Sequence, residues 1–131
     1  MTSQHSSIEA ARQFARILTV PVFLVDPDGD LLFYNSEAGR VLGRSFDETG
    51  PMAASVWGRI FIPSDENGNP LVPEALPLMV ALAGKKPAAG SLWIKGIDNT
   101  ARHITVTAFP IIGDQNESLG AMAVFWESKK E

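Results

Sequence analysis

Two short apolar runs, Val22-Phe23-Leu24-Val25 and Leu31-Leu32-Phe33-Tyr34, flank the polar stretch Asp26-Pro27-Asp28-Gly29-Asp30 and are closed by Asn35. Asp and Gly accept tight-turn backbone angles while the flanking residues suit buried strands, so the pattern predicts a hairpin that hands over to a helix. Upstream, Ser6 and Glu9 have capping-box spacing, and Ile8, Ala11, Phe14, Ala15 and Leu18 recur on one helical stripe as far as Pro21. This predicts a short amphipathic helix whose stripe is covered either by the chain's own sheet or by a second copy. Beyond the hairpin, Asn35 or Ser36 can cap a helix through Glu37, Ala38, Arg40, Val41 and Leu42, with Gly43 placed to end it.

From Arg44 to Pro73 the periodicity dissolves into Gly, Pro, Asp and Asn, relieved by Val56-Trp57 and Ile60-Phe61-Ile62. Such anchors predict short helical turns wrapped over a core rather than a free linker. A helix over Ala75 to Ala83 comes next, with Pro77 early and Gly84 after it, and Lys85 and Lys86 sit where the helix dipole favours positive charge. The last third reads as strands. Leu92 and Ile94 alternate with Trp93 and Lys95; after a turn at Asp98-Asn99-Thr100, Ile104, Val106 and Ala108 alternate with His103, Thr105 and Thr107. Past a Gly113 to Asn116 turn, Leu119 to Trp126 is nearly all apolar, as expected of a central strand buried on both faces.

Composition narrows the functional classes. A chain of 131 residues suits one core with a modest cavity, and 45% hydrophobic with 20% charged residues is ordinary for a globular protein. The net charge of -4 and the scattering of the 11 basic residues argue against a nucleic-acid partner. Cys is absent, which removes disulfides, thiolate metal sites and any cysteine nucleophile, and fits a reducing compartment. The N-terminus lacks the basic start and apolar centre of a signal peptide, and no apolar run approaches the ~20 residues of a membrane span. The expectation is a cytoplasmic protein with no membrane partner.

These pieces together resemble a PAS domain, from about Ile17 to Glu127. The resemblance rests on Val22 to Asn35 as opening hairpin, Asn35 to Gly43 as the next helix, and Leu76-Pro77-Leu78 through Gly84 as the helix facing a cavity. It rests also on the strands from Leu92 to Phe125, with Ala108-Phe109-Pro110 and Leu119-Gly120-Ala121. It implies an α+β fold: a five-stranded antiparallel sheet curled around a small cavity, helices over one face, and an N-terminal amphipathic helix. Residues 1–20 are then the N-terminal cap helix and 21–131 a single PAS-like domain. It further implies a sensory or interaction role, usually dimeric and usually non-catalytic.

The alternation can be given a direction. If Phe23 and Val25 face the cavity, period two places Leu31 and Phe33, Leu92 and Ile94, Ile104, Val106 and Ala108, and Ala123 and Phe125 on the same side. Val22, Leu24, Leu32 and Tyr34 then face the first helix or a partner. Those inward residues, with Met79, are the candidate ligand-binding set. Flavin-binding members of the family need amide side chains on the last three strands and a reactive Cys for photochemistry; this lining is hydrocarbon and the chain has no Cys. Haem-binding members use a His on the cavity helix, and Ala75 to Lys86 contains none. No cofactor is expected, and the pattern fits at most a small apolar ligand such as a fatty acid or aromatic metabolite.

Other constellations have simpler explanations. His103 shares its strand face with Thr105 and Thr107, so it points away from the cavity, and His5 lies in a frayed terminus; the two make no zinc site. Asp26, Asp28, Asp30 and Glu37 occupy calcium-loop positions, but the required Gly is Leu31 and the flanks are strand, so turn chemistry accounts for the acids. Asp65, Glu66 and Glu74 have no His or Lys partner at recognisable spacing, and Ser91, Ser118 and Ser128 lack a nucleophile elbow. Gly84-Lys85-Lys86 is not a phosphate loop. No catalytic or metal residue is assigned.

The sequence thus predicts a non-enzymatic sensory module with an apolar cavity, forming a homodimer through the N-terminal helix and outer sheet face. With the chain ending at Glu131, output passes to a separate effector protein unless the chain is a piece of a longer one. A second reading is a ligand-free dimerisation or interaction module filled by Phe23, Phe33 and Phe125. A third, a small cone-shaped isomerase or hydratase, needs acid/base residues inside the cone, and Tyr34 is expected to point away.

Overall fold

The structure, a computed structural model, describes residues 3–128, with side chains from residue 8 onward. The elements are α1 (Ser3–Ile17), β1 (Val22–Val25), β2 (Leu31–Tyr34), α2 (Ser36–Leu42), α3 (Phe46–Thr49) and α4 (Ala54–Ile60). A 3-10 turn (Pro73–Ala75), α5 (Pro77–Gly84), β3 (Ala88–Lys95), β4 (Ala101–Ile112) and β5 (Ser118–Glu127) complete them. The strands make one antiparallel sheet in the order β2-β1-β5-β4-β3, so the nearly all-apolar β5 is central, as its pattern predicts.

The sheet's two faces bury different partners. Phe23, Val25, Leu92, Ile94, Ile104, Val106, Ala108, Ala123 and Phe125 lie on the inner face, packed with residues of α2, α4 and α5. Val22, Leu24, Phe33 and Met122 form a second cluster on the outer face with Ala15 of α1. The first helix is therefore covered by the chain's own sheet.

The hairpin departs from strict alternation. Phe23 pairs with Tyr34 and Leu24 with Phe33, but Val25 pairs with Leu31, leaving Leu32 as one extra residue. An extra residue inverts the parity of the strand beyond it. Leu31 and Tyr34 both face inward and Phe33 faces outward, the reverse of the expectation for Phe33 and Tyr34. Phe33 lies beneath the guanidinium groups of Arg12 and Arg16, 5.6 and 5.3 Å from its ring centroid, where the ring face attracts cations.

Helix boundaries differ in instructive ways. Helix α1 begins at Ser3, so Ser6 lies within it and not before it, the side chain of Ser6 being outside the described residues. His5 likewise falls within the helical backbone, its side chain outside the described residues. Ala11, Ala15 and Leu18 pack on the sheet, but Phe14, rotated about 60° from Ala11 around the helix, is 55% exposed. Asn35 caps α2, and Gly43 ends it at φ 90°, its N–H donating to the Gly39 carbonyl at 2.9 Å. The helix expected over Ala75 to Ala83 is a 3-10 turn followed by α5. It is Lys85, at φ 56°, that ends α5, while its Nζ donates to the Asn116 carbonyl at 2.6 Å.

The irregular stretch is sewn to both sheet edges. Met52 and Leu31 exchange backbone hydrogen bonds of 2.7 and 3.3 Å at the β2 edge, and Ser64 and Trp93 exchange bonds of 2.8 and 2.9 Å at the β3 edge. Covering an edge satisfies its unpaired N–H and C=O groups. That fixes α4 over the inner face.

Candidate functional site

A cavity of about 80 Å³ remains between the inner sheet face and the α4 and α5 layer, lined almost wholly by carbon. Trp57 and Phe61 descend into it from α4, one turn apart. The Phe23 ring meets Trp57 edge-on at 5.0 Å and Phe61 at 6.2 Å, and lies parallel to Tyr34 at 6.0 Å. Such tilted packing is favourable beyond the area it buries. Trp57 Nε1 donates to the Gly29 carbonyl at 2.9 Å, so the indole is satisfied where it is buried.

The start of α4 is fixed by the hairpin turn. Asp30 Oδ1 accepts from the Ala54 N–H at 2.8 Å, and Asp26 Oδ1 accepts from the N–H groups of Asp28 and Asp30 at 2.9 and 3.0 Å. Asp26, Asp28 and Asp30 offer oxygens within 4.8 Å of one another, yet Glu37, the twelfth position of the calcium-loop pattern, pairs with Arg40 at 2.7 Å on α2. The acids of the turn organise backbone.

Of the candidate ligand-binding residues, Phe23, Leu92, Ile94, Ile104, Val106, Ala123 and Phe125 line the cavity. Val25, Leu31 and Ala108 belong to the same inner cluster without lining the space. Phe33 is on the opposite face, and Met79 lies outside the cavity, in a neighbouring cleft with Trp57 and Leu76. Leu76, Pro77 and Leu78, on the segment that the resemblance turns toward the cavity, line it too, whereas nothing in the pattern points to Leu42 or Pro63; for Trp57 and Phe61 the four-residue spacing is the available signal.

Polar groups near the cavity are already engaged. Tyr34, only 1% exposed, donates its hydroxyl to the Arg44 carbonyl at 2.6 Å, with Thr49 Oγ1 at 3.3 Å, and burial raises its pKa. On the outer face, His103 Nε2 lies 2.8 Å from Glu66 Oε2, with the Trp93 ring 5.0 Å from the imidazole. Glu66 thus does have a His partner, contrary to the expectation from spacing, because the 63–71 loop runs along the β3 edge and brings it across. Asp65 instead accepts from the N–H groups of Asn67 and Asn69.

The hairpin, the capped helix after it, the cavity-facing α5 and the strand order β2-β1-β5-β4-β3 define the PAS fold. Among solved structures, the chain is similar to the PAS domain of a protein from Colwellia psychrerythraea, at TM-score 0.66 and 12% identity over 95% of this chain and 98% of that one. A LOV protein from Rhodobacter sphaeroides is similar at TM-score 0.71 and 13% identity, covering 95% of this chain and 69% of that one. The PAS domain of BvgS from Bordetella pertussis is similar at TM-score 0.62 and 14% identity, over 94% and 86%. No family model matches the chain, and no curated protein matches its sequence.

A flavin does not fit these residues. The cavity is below the ~300–1,000 Å³ typical of small-molecule sites, and its lining offers no amide to a ring edge. Haem does not fit this lining either, since none of the residues around the cavity carries a side chain that ligates iron.

Proposed function

We propose that this chain is a non-enzymatic, cytoplasmic PAS-type sensory and interaction module. Its inner cavity takes a small hydrocarbon ligand, and its outer face and α1 contact a second copy or a separate effector protein. The observation that carries the reading is the apolar cavity walled by Phe23, Trp57, Phe61 and Phe125, with no ionisable group in its lining. Catalysis of proton transfer would need one. No helix among the described residues is long and apolar enough to cross a membrane.

Coupling between the faces runs through Asn35. Its Oδ1 accepts from the N–H groups of Val22 and Ala38, both at 3.0 Å, and its Nδ2 donates to the carbonyls of Ala15 and Val20 at 3.0 and 2.8 Å. Phe23, next to Val22, walls the cavity; Ala15 is on α1. Ligand that displaces Phe23 biases the hairpin, and the hairpin carries α1 with it, a shift between packings of the kind any differential ligand produces. Trp126, 43% exposed on the outer face, and the exposed Phe14 and Ile17 of α1 supply apolar contact surface for a partner.

The small volume favours a second reading, a ligand-free interaction module whose aromatic side chains are the filling. Titrating benzene into the full chain separates the two. Methyl NMR shifts at Ile94, Ile104 and Val106, together with a changed monomer–dimer equilibrium by sedimentation, support sensing. Shifts without any change in self-association, or no shifts, assign the purely structural role.

A further inference from the structure

Outside the cavity, a cleft of about 450 Å³ opens between α4, the 63–73 loop and Met79. Trp57, Pro63 and Leu76 line both spaces, so these side chains are the partition between the cleft and the inner cavity. Arg59 is the only charged residue lining the cleft, and its side chain makes no hydrogen bond or ion pair among the described residues. It stands two residues beyond Trp57 on α4. The partition is held on its Trp57 side by the single hydrogen bond to Gly29, and Leu76 belongs to the short connection between the 3-10 turn and α5. The cleft lies within the ~300–1,000 Å³ range of small-molecule sites, which the inner cavity alone does not reach.

We infer that this cleft is the mouth of the cavity and that it takes a short- to medium-chain carboxylate, whose head pairs with Arg59 and whose tail passes between Trp57 and Leu76. The inference rests on the cavity reading above and adds the ligand's charge, orientation and route. An apolar interior beside a cleft whose one charged lining residue is Arg59 selects an amphipathic anion over a neutral hydrocarbon, because the planar fork of Arg matches a carboxylate. Met79 then contacts the chain in the cleft, and the inner cavity receives only the terminal carbons.

The test uses the full chain, sodium octanoate, octan-1-ol and the variant Arg59→Gln, whose exposed side chain leaves the fold unchanged. Methyl NMR titrations are expected to move Leu76, Ile104 and Val106 with either ligand. Octanoate is expected to bind more tightly than octanol, and Arg59→Gln to weaken octanoate about tenfold while leaving octanol unaffected. If both ligands move the inner methyls but Arg59→Gln changes neither affinity, the cleft assignment is overturned and the cavity reading survives. If the variant weakens octanoate but the inner methyls never move, the anion binds only the rim and the cleft is not the mouth. If neither ligand moves them, both readings fall.

Discussion

Replacing Asn35 with Ala removes four hydrogen bonds from one buried side chain, 3% exposed, that ties α1, β1 and α2 together. Loss of the α2 cap costs about 1 kcal/mol. The Val22 N–H, on a residue of 0% exposure, loses its acceptor, and a buried orphan donor costs about 1–3 kcal/mol. The Ala15 carbonyl is buried as well, whereas the Val20 carbonyl lies on an exposed residue where water can replace the amide. The expected total is about 3–4 kcal/mol, or a fall in Tm of about 11–15 °C for a chain of this size. Asn35→Asp dissects the loss. It keeps an acceptor for Val22 and Ala38 but turns carboxylate oxygens toward the carbonyls of Ala15 and Val20, so α1 should lose its tether while α2 stays capped. Hydrogen exchange followed by mass spectrometry reads this directly, with protection falling across residues 8–17 and persisting across residues 36–42. A Tm change of a degree or two in Asn35→Ala, or unaltered α1 protection in Asn35→Asp, would refute the assignment of Asn35 as the link between the faces.

Gly120 sits in β5 at φ 133°, with the Val25 carbonyl where a Cβ would stand. Gly120→Ala therefore cannot be absorbed by rotating a side chain, and chemical denaturation should show a loss of several kcal/mol or failure to fold. The Asp98 carboxylate is held below the usual carboxylate range, first by its hydrogen bond to Arg102 and then by the Thr100 N–H. A depressed folded-state pKa adds stability above the unfolded value that is lost as pH falls through the folded one, so Asp98→Asn should flatten the acid limb of a stability–pH profile. Because the Asp98–Arg102 pair is open to solvent on the Asp98 side, the difference at neutral pH should be small.

The hairpin, a cap at Asn35 or Ser36 and the central strand are legible in the sequence because each arises from periodicity or from residue chemistry confined to a few neighbours; the structure decides for Asn35. The faces of Phe33 and Tyr34 are not legible in the sequence, for a physical reason. Leu31-Leu32-Phe33-Tyr34 is apolar at every position, so no polar residue marks which face is which, and the one-residue bulge that inverts them leaves no trace in the pattern. Likewise, Trp57 and Phe61 were visible as anchors, but their destination beside Phe23 depends on the edge bonds of Met52 and Ser64, which no local signal encodes. The contact of Glu66 with His103 spans 37 residues and results from the path of a loop. The cleft was missed for the same reason: Arg59 and Met79 come together only in the fold.

On the function proposed above, the space behind Phe23 and Phe125 holds a small apolar ligand without a chromophore. A native mass spectrum of the purified full chain, paired with its absorption spectrum, decides this. The expected result is a dimer whose subunits carry, or take up from added octan-1-ol, one small molecule each, with no visible absorption band. A haem or flavin band, or a protein that carries and accepts no added mass, would contradict it.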